Sequence, residues 1–498
     1  MFTFDWLAKQ AELHPHKTAL VDAAANRRFT YPEFHLRASR VAEFLRDEWH
    51  IQPGDRVALL AHNSSDYMEI LYGCGKIGAL LVCLNWRLAV PELAYIIQDS
   101  TPVALIYDEA FAVNAAALSH PNLTHRLALG SPYETALAQS SGQPLVMPPT
   151  PLDTPWYILY TSGTTGRPKG VIQTHGMAHY NALNIGLPTG LSENDTTLNL
   201  LPFFHTGGLN LYTIPTFMFG GTAIIQRTFD PAETFRLLAT ETTTFFGVPA
   251  VYLFLSQHPD FAKTDFSRLR SWACGGSSMP VSLLQQYAER GIIIQQGFGM
   301  TETGPTVFLV DKEHALSKAG SVGKPQLFVE VRIADREGND VPPGEMGELL
   351  IKGPGVTPGY WQKPDITAQS IVNGWLHSGD VARCDDEGYY YIVDRWKDMF
   401  ISGGENVYPA EVENVLFAHP AIAEVAVIGV PDEKWGEVGK AIAVLKADQT
   451  ATPEELLAFC QGQLARYKIP KAVAFTDKLP RTPAGKVVKT ELREKFGQ

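Results

Sequence analysis

Cysteine is scarce in this chain: five in 498 residues, at Cys74, Cys83, Cys274, Cys384 and Cys460. Their number is odd, they are scattered, and no Cys-X-X-Cys pair occurs, which argues against a disulfide framework or a zinc knuckle and points to a reducing compartment. Positive charge is also in deficit, with 41 Lys and Arg against 53 Asp and Glu for a net charge of −12. That balance argues against a chain that coats nucleic acid or an anionic membrane, and leaves only local basic sites open. The opening MFTFDWLAKQAELHP has no basic segment before an apolar run, and the closing REKFGQ has no peroxisomal or prenylation tripeptide. A cytoplasmic protein is therefore expected. Residues 196–226 lack any formal charge, but Pro202, His205, Asn210, Pro215 and the glycines at 207, 208, 220 and 221 interrupt the stretch. It reads as a buried, cavity-lining segment and not as a membrane span.

Hydrophobic residues at 45% and charged residues at 19% supply material for large cores, and the length predicts two or three domains. Short apolar runs alternate with amphipathic stretches over most of the first 395 residues, as in RVALLA (56–61), the run up to Gly78, and ALLVCLN (79–85). That rhythm predicts βαβ units and sheets covered by helices. A boundary is expected at Asp394-Arg395-Trp396-Lys397-Asp398, where charges cluster directly after the strand pattern YYYIV. Beyond it a helix is predicted from Pro409, strands at AEVAVIGV and KAIAVL, a helix from Pro453 to Arg466, and a strand at KAVAF, which together form a compact α+β unit.

The clearest chemical feature is Tyr160-Thr-Ser-Gly-Thr-Thr-Gly-Arg-Pro-Lys-Gly170, which follows the apolar run WYILY. Glycines let successive backbone N–H groups point into one concavity, hydroxyls add donors, and Arg167 and Lys169 add charge, so the loop suits a polyphosphate. It lacks the Gly-Lys-Ser/Thr end of a Walker A loop. A Gly/Ser/Thr hairpin is the competing reading, because GVIQT after it reads as a strand.

This stretch resembles the phosphate loop of the adenylate-forming superfamily: acyl-CoA synthetases, luciferases of the firefly type and the adenylation domains of peptide synthetases. Gln296-Gly-Phe-Gly-Met-Thr-Glu302, Ser378-Gly-Asp380, Asp394-Arg-Trp-Lys-Asp398, Ser402-Gly-Gly-Glu-Asn-Val-Tyr-Pro409 and Pro480-Arg-Thr-Pro-Ala-Gly-Lys486 are similar to the family's other motifs, in order. The resemblance implies an α/β fold: a large N-terminal domain (1–394) of helix-covered sheets with a β-barrel-like subdomain, and a small mobile α+β C-terminal domain (395–498) hinged at Lys397. It implies an AMP-forming acid–CoA ligase that uses ATP, Mg2+ and coenzyme A, with no nucleic acid partner and with a homodimer among the expected states.

The same resemblance assigns roles. Thr161, Ser162, Gly163, Thr164, Thr165, Gly166 and Lys169 would cradle the phosphates. Gly275, Gly276, Ser277, Gln296, Gly297, Phe298 and Gly299 would surround the nucleotide, with adenine against Phe298. Thr301 would bond the α-phosphate and Glu302 would hold magnesium. Asp380 and Arg395 would hold the ribose, and Lys486 would bridge the substrate carboxylate and the phosphate. Gly403, Gly404 and Glu405 would border the pantetheine tunnel, and Lys440, with Trp435, would meet the nucleotide end of CoA. His205 either gates the acyl pocket against that tunnel or packs as a core histidine.

The acyl pocket is expected from His205, Gly207, Asn210, Phe246, Gly275, Gly299 and Met300. Peptide-synthetase adenylation domains carry an Asp where this chain reads Phe203-Phe204-His205, and no acid lies within 196–226 to meet a substrate ammonium. The same stretch has no Lys or Arg for a second carboxylate. An apolar aromatic or arylpropenoic acid is expected, with glycines at 207, 208, 275 and 276 leaving room for a planar ring; a medium- or long-chain fatty acid is the alternative. A peptide-synthetase adenylation domain would be followed by a carrier domain, and the sequence runs only twelve residues past Lys486, so a standalone CoA ligase is expected, with the phosphopantetheine of a free carrier protein as the alternative acceptor.

Overall fold

The structure is a computed structural model describing residues 1–161, 168–395, 398–402, 405–432, 434–461, 463–481 and 487–497, except for the side chains of Arg395, Glu405 and Asn406. Its first sheet arises from the apolar runs read above. Strands Arg56–Leu60, Leu80–Cys83, Ala104–Tyr107, His125–Ala128 and Pro155–Thr161 lie parallel, and Lys169–Thr174 returns antiparallel to Pro155–Thr161 at one edge. The predicted βαβ unit is present: helix Ser65–Lys76, capped by the Ser64 hydroxyl, joins Arg56–Leu60 to Leu80–Cys83. Both faces of the central strands are covered, so Arg56–Leu60, Leu80–Cys83 and Ala104–Tyr107 are buried almost throughout, whereas the edge strand His125–Ala128 is not.

The second sheet has nine strands and a parallel centre. Ser271–Cys274, Thr244–Gly247, Thr196–Asn199 and Thr222–Ile225 run side by side, with Ile294–Gly299 next to Ser271–Cys274. The charge-free stretch thus forms two strands of this sheet and the short helices Thr206–Leu209 and Thr213–Met218 between them. Among the described residues no helix is long and apolar enough to cross a membrane. The strands Glu330–Ala334, Gly347–Lys352, Trp375–Cys384 and Tyr390–Arg395 form an antiparallel sheet with the short strand Ile371–Val372. Its core includes Phe308 and Leu376, with Phe298 and Met300 packed against it.

Residues past 399 build a further sheet from Phe400–Ser402, Glu405–Val407, Ile422–Asp432, Gly436–Leu445 and Ala472–Phe475, with their own apolar clusters. The helix expected to run from Pro453 to Arg466 stops at Phe459. There Gln461 N bonds to Ala458 O and Gln463 N to Cys460 O, three-residue turns that replace the helical ladder. All five cysteines are free, four of them buried.

Candidate active site

Parallel strands point their carboxyl ends to one edge of a sheet, and in open α/β sheets ligands bind in the crevice outside those ends. Three neighbouring strands of the second sheet carry expected site residues at or just beyond their ends. Phe246 lies at the end of Thr244–Gly247, the Gly275-Gly276-Ser277 turn follows Ser271–Cys274, and Gly297, Phe298 and Gly299 end Ile294–Gly299. The loop after Thr196–Asn199 brings His205 and Gly207 to the same edge.

The glycines show how tightly this edge is built. A Cβ on Gly207 would stand 3.9 Å from the Phe246 ring, and one on Gly275 would stand 3.4 Å from that ring and 3.2 Å from Gly297 O, so Phe246 sits between two glycines. Gly208 does not leave room for a substrate ring, because its Cβ would meet the carbonyls of Leu201 and Pro202 at 2.4 Å. Gly299 is required by close approach: a Cβ there would lie 1.9 Å from Pro305 O, where the Pro305-Thr306 backbone crosses it. Gly276 and Ser277 are exposed. Gln296 is buried and accepts from Met279 N at 3.4 Å. Phe298 packs at the edge of the antiparallel core, 6.1 Å from Phe308. His205 directly precedes the short helix Thr206–Leu209 without a side-chain capping bond, and its ring lies 5.4 Å from Phe204.

The acid motif follows directly. Thr301 and Glu302, both 8% exposed, sit in the 3-10 turn Thr301–Thr303. Thr301 O accepts from Gln173 Nε2 at 2.9 Å, and Glu302 O accepts from Thr357 N at 2.8 Å. Glu302 Oε1 accepts from the Tyr360 hydroxyl at 3.0 Å. Burial, reinforced by Glu302, pushes the Tyr360 hydroxyl above the ordinary tyrosine value, so it stays protonated and donates. Among the described residues Glu302 has no cationic side chain within ion-pairing distance. A buried carboxylate with one neutral donor retains acceptor sites, and magnesium suits it, since that ion takes one or two carboxylates and fills its shell with waters and phosphate oxygens. The described residues hold no cluster of three acidic, histidine or cysteine side chains that could form an all-protein metal cage.

The hairpin strands flanking the glycine-rich loop are anchored to this motif. Thr161 ends one strand and Lys169 opens the other, paired across the register. Gln173 reaches Thr301, Thr357 Oγ1 donates to Ile172 O at 2.7 Å, and Trp361 N donates to Gly170 O at 2.7 Å. The Lys169 ammonium lies 5.2 Å from the centre of the Tyr360 ring. Ser162, Gly163, Thr164, Thr165, Gly166 and Arg167 lie outside the described residues, as do Lys397, Gly403, Gly404 and Lys486.

Asn210, expected in the acyl pocket, is 1% exposed, and its amide is engaged elsewhere. Its Oδ1 accepts from the Tyr157 hydroxyl at 2.8 Å, and its Nδ2 donates to Gln173 Oε1 at 3.0 Å. It therefore extends the buried chain that ends on Thr301. Asp380, 2% exposed, lies in the antiparallel sheet opposite Arg395, whose backbone alone is described. Glu405 opens the strand Glu405–Val407, and Lys440 lies in Gly436–Leu445 with Ile428 and Ala472 as strand partners. Sequence reasoning missed Gln173, Thr357 and Tyr360. No sequence signal marked Gln173, whose amide becomes fully buried only when the strand Lys169–Thr174 is packed in the fold. None existed for Tyr360, which meets Glu302 across 58 residues.

The AMP-binding enzyme family matches residues 7–361, and the AMP-binding enzyme C-terminal domain matches residues 411–486. The chain is similar to a feruloyl-CoA synthase of Amycolatopsis sp, at 43% identity over 493 residues, covering 99% of this chain and 98% of that one. It is similar to the long-chain-fatty-acid–CoA ligase FadD13 of Mycobacterium tuberculosis (strain CDC 1551 / Oshkosh), at 39% identity over 504 residues, covering 100% and 99%. Among solved structures, the o-succinylbenzoate CoA synthetase MenE of Bacillus subtilis in complex with the acyl-adenylate intermediate OSB-AMP superposes with a TM-score of 0.90 at 32% identity, covering 99% and 98%. The same enzyme with ATP and magnesium gives a TM-score of 0.89 at 31% identity, covering 99% and 100%.

Proposed function

The chain belongs to the AMP-binding enzyme family, and from that premise we propose how its residues activate a carboxylic acid and which acid it is. The protein is an AMP-forming acid–CoA ligase that uses ATP, Mg2+ and coenzyme A. A substrate carboxylate oxygen attacks the α-phosphorus of ATP, the bond to the bridging oxygen of pyrophosphate breaks, and an acyl-adenylate forms. The CoA sulfur then attacks the acyl carbon, AMP leaves, and the thiol proton passes to solvent.

Two anions must meet in the first step, so the site has to offset their repulsion. Mg2+, held through Glu302, would supply charge neutralisation on the phosphates. The loop 161–166 with Lys169 binds the phosphates through backbone N–H groups, hydroxyls and one ammonium. The Thr301 hydroxyl orients the α-phosphate; its place in a turn whose backbone is bonded to Gln173 supports that role. Gly275, Gly276, Ser277, Gln296, Gly297, Phe298 and Gly299 bound the nucleotide, Asp380 accepts from the ribose hydroxyls and Arg395 reaches the same sugar. Lys486 brings positive charge to the meeting point of carboxylate and phosphate. For the second step, residues 395–498 turn about Lys397 relative to residues 1–394 so that Gly403, Gly404 and Glu405 border the thiol and Lys440 meets the CoA nucleotide. The separate apolar clusters of residues past 399 support that division.

The observation that carries the substrate reading is Phe246 flanked by Gly207 and Gly275, beside a stretch without charge. A flat aromatic acid would pack against such an apolar surface with no charged side chain from residues 196–226 to desolvate, and the similarity to a feruloyl-CoA synthase agrees. His205, Gly299 and Met300 complete the lining. The second reading, a fatty acid, is favoured by the similarity to FadD13. A panel of acids scored by CoA-dependent AMP release decides between them. Hydroxycinnamates and benzoates are expected to give the highest kcat/KM; turnover confined to fatty acids would establish the second reading, and turnover confined to malonate or amino acids would overturn both. A cytoplasmic setting is supported by the five free thiols, and the absence of a nucleic acid partner by the net charge of −12.

A further inference from the structure

We infer that Tyr360 is a positioning residue that orients the Glu302 carboxylate and keeps it apart from Lys169, so that both charges remain available to the metal and phosphates. The inference rests on the reading of Glu302 as a magnesium ligand.

The segment Thr357–Trp361 lies between two parts of the site and is tied to each. On one side Thr357 N donates to Glu302 O. On the other, Thr357 Oγ1 donates to Ile172 O, Ile172 N to Gly359 O and Trp361 N to Gly170 O, all on the strand that leaves the glycine-rich loop. Tyr360 itself is fixed by its N–H, which donates to Thr367 Oγ1 at 3.0 Å, and it is 9% exposed. Its backbone is held at both ends, so the hydroxyl has little freedom and meets Glu302 Oε1 at 3.0 Å. The other carboxylate oxygen takes no hydrogen bond from a described residue and is left for a cation.

The ring accounts for the second half of the role. The Lys169 ammonium sits 5.2 Å from its centre. The ammonium and the carboxylate share Tyr360 as a neighbour, and without its ring opposite charges would be drawn towards direct contact, which would use up both before ATP arrived. An aromatic ring offers the ammonium an electrostatic resting place without protons to exchange or charge to cancel. A phenol is therefore suited to this position: the hydroxyl orients one charge and the ring holds the opposite one.

The test uses the full chain and Mn2+ as the probe, with its binding read by electron paramagnetic resonance in the presence of ATP and no acid. Partners outside the metal shell commonly contribute tenfold or more to metal affinity, so Tyr360→Phe is expected to weaken Mn2+ binding about tenfold. ATP affinity in EDTA and the unfolding midpoint should not change, because the ring remains over Lys169. Tyr360→Leu removes the ring as well and is expected to weaken metal-free ATP binding too. Glu302→Gln should weaken Mn2+ binding at least as much as Tyr360→Phe, and the double variant no further than Glu302→Gln alone. If Glu302→Gln weakens Mn2+ binding while Tyr360→Phe binds as the parent does, the inference is overturned and the metal assignment stands. If Glu302→Gln binds Mn2+ normally, the metal assignment itself is wrong and the inference falls with it.

Discussion

Glu69 and Glu302 are both buried, at 0% and 8% exposure, yet their surroundings differ in charge. Glu69, on helix Ser65–Lys76, receives Arg37 Nε at 2.9 Å and the Tyr133 hydroxyl at 3.0 Å, and Arg37 also grips Glu134 through two bonds of 2.7 Å. Burial pushes the Glu69 carboxyl up, and the adjacent guanidinium opposes that shift. Glu302 has a phenol in place of the guanidinium and no cation among the described residues. The first carboxylate is compensated by its own chain and cannot bind anything else. The second is oriented but left uncompensated, which is the state in which a carboxylate can take up a metal ion. On the proposed reading of Glu302, a structural acid and a ligand-binding acid are separated by the charge of the donor and not by depth.

The comparison breaks most readily at the structural site. Glu69→Ala would leave Arg37 buried against one carboxylate fewer, and removal of one partner from a buried pair costs about 3–5 kcal/mol. The unfolding midpoint should fall by several degrees, with turnover per folded molecule unchanged. Glu302→Gln should do the reverse, leaving the midpoint where it is or raising it slightly. Equal destabilisation by both substitutions would show that Glu302 is a structural acid after all.

A third buried group sharpens the contrast by giving up its charge. His175 stacks on Trp156 at 4.8 Å with 12° between the rings, and burial holds its pKa down to about 4. Its folded value lies below the unfolded one of about 6.5, so its contribution is complete above pH 6.5 and is lost as pH falls towards 4. Between pH 7 and pH 5 this amounts to about 2 kcal/mol. Chemical unfolding of His175→Asn across that range should show a shallower loss of stability than the parent; parallel curves would place the titration elsewhere.

Much of this was legible in the sequence because it is local. The strands follow from apolar runs such as RVALLA, and the strands and helices read past Pro409 pack around apolar clusters of their own. The motif Gln296 to Glu302 is contiguous, so its residues could be named together. What was not legible is long-range or packing-dependent. Tyr360 reaches Glu302 only because Thr357–Trp361 is threaded between two sheets. Asn210 looks like a pocket residue in LPFFHTGGLN, but Tyr157 and Gln173 claim its amide from another sheet. Gly208 looks like open space, and two carbonyls fill it.

The central claim is that an apolar carboxylic acid is joined to AMP before CoA takes part. Acid-dependent exchange of labelled pyrophosphate into ATP, measured without CoA, tests it most directly. The prediction is exchange that requires a hydroxycinnamate- or benzoate-type acid and Mg2+, and that falls about 10²- to 10³-fold in Lys486→Ala, as when one donor to a developing charge is removed. Exchange that ignores the acid, release of ADP in place of AMP, or near-parental exchange in Lys486→Ala would contradict it.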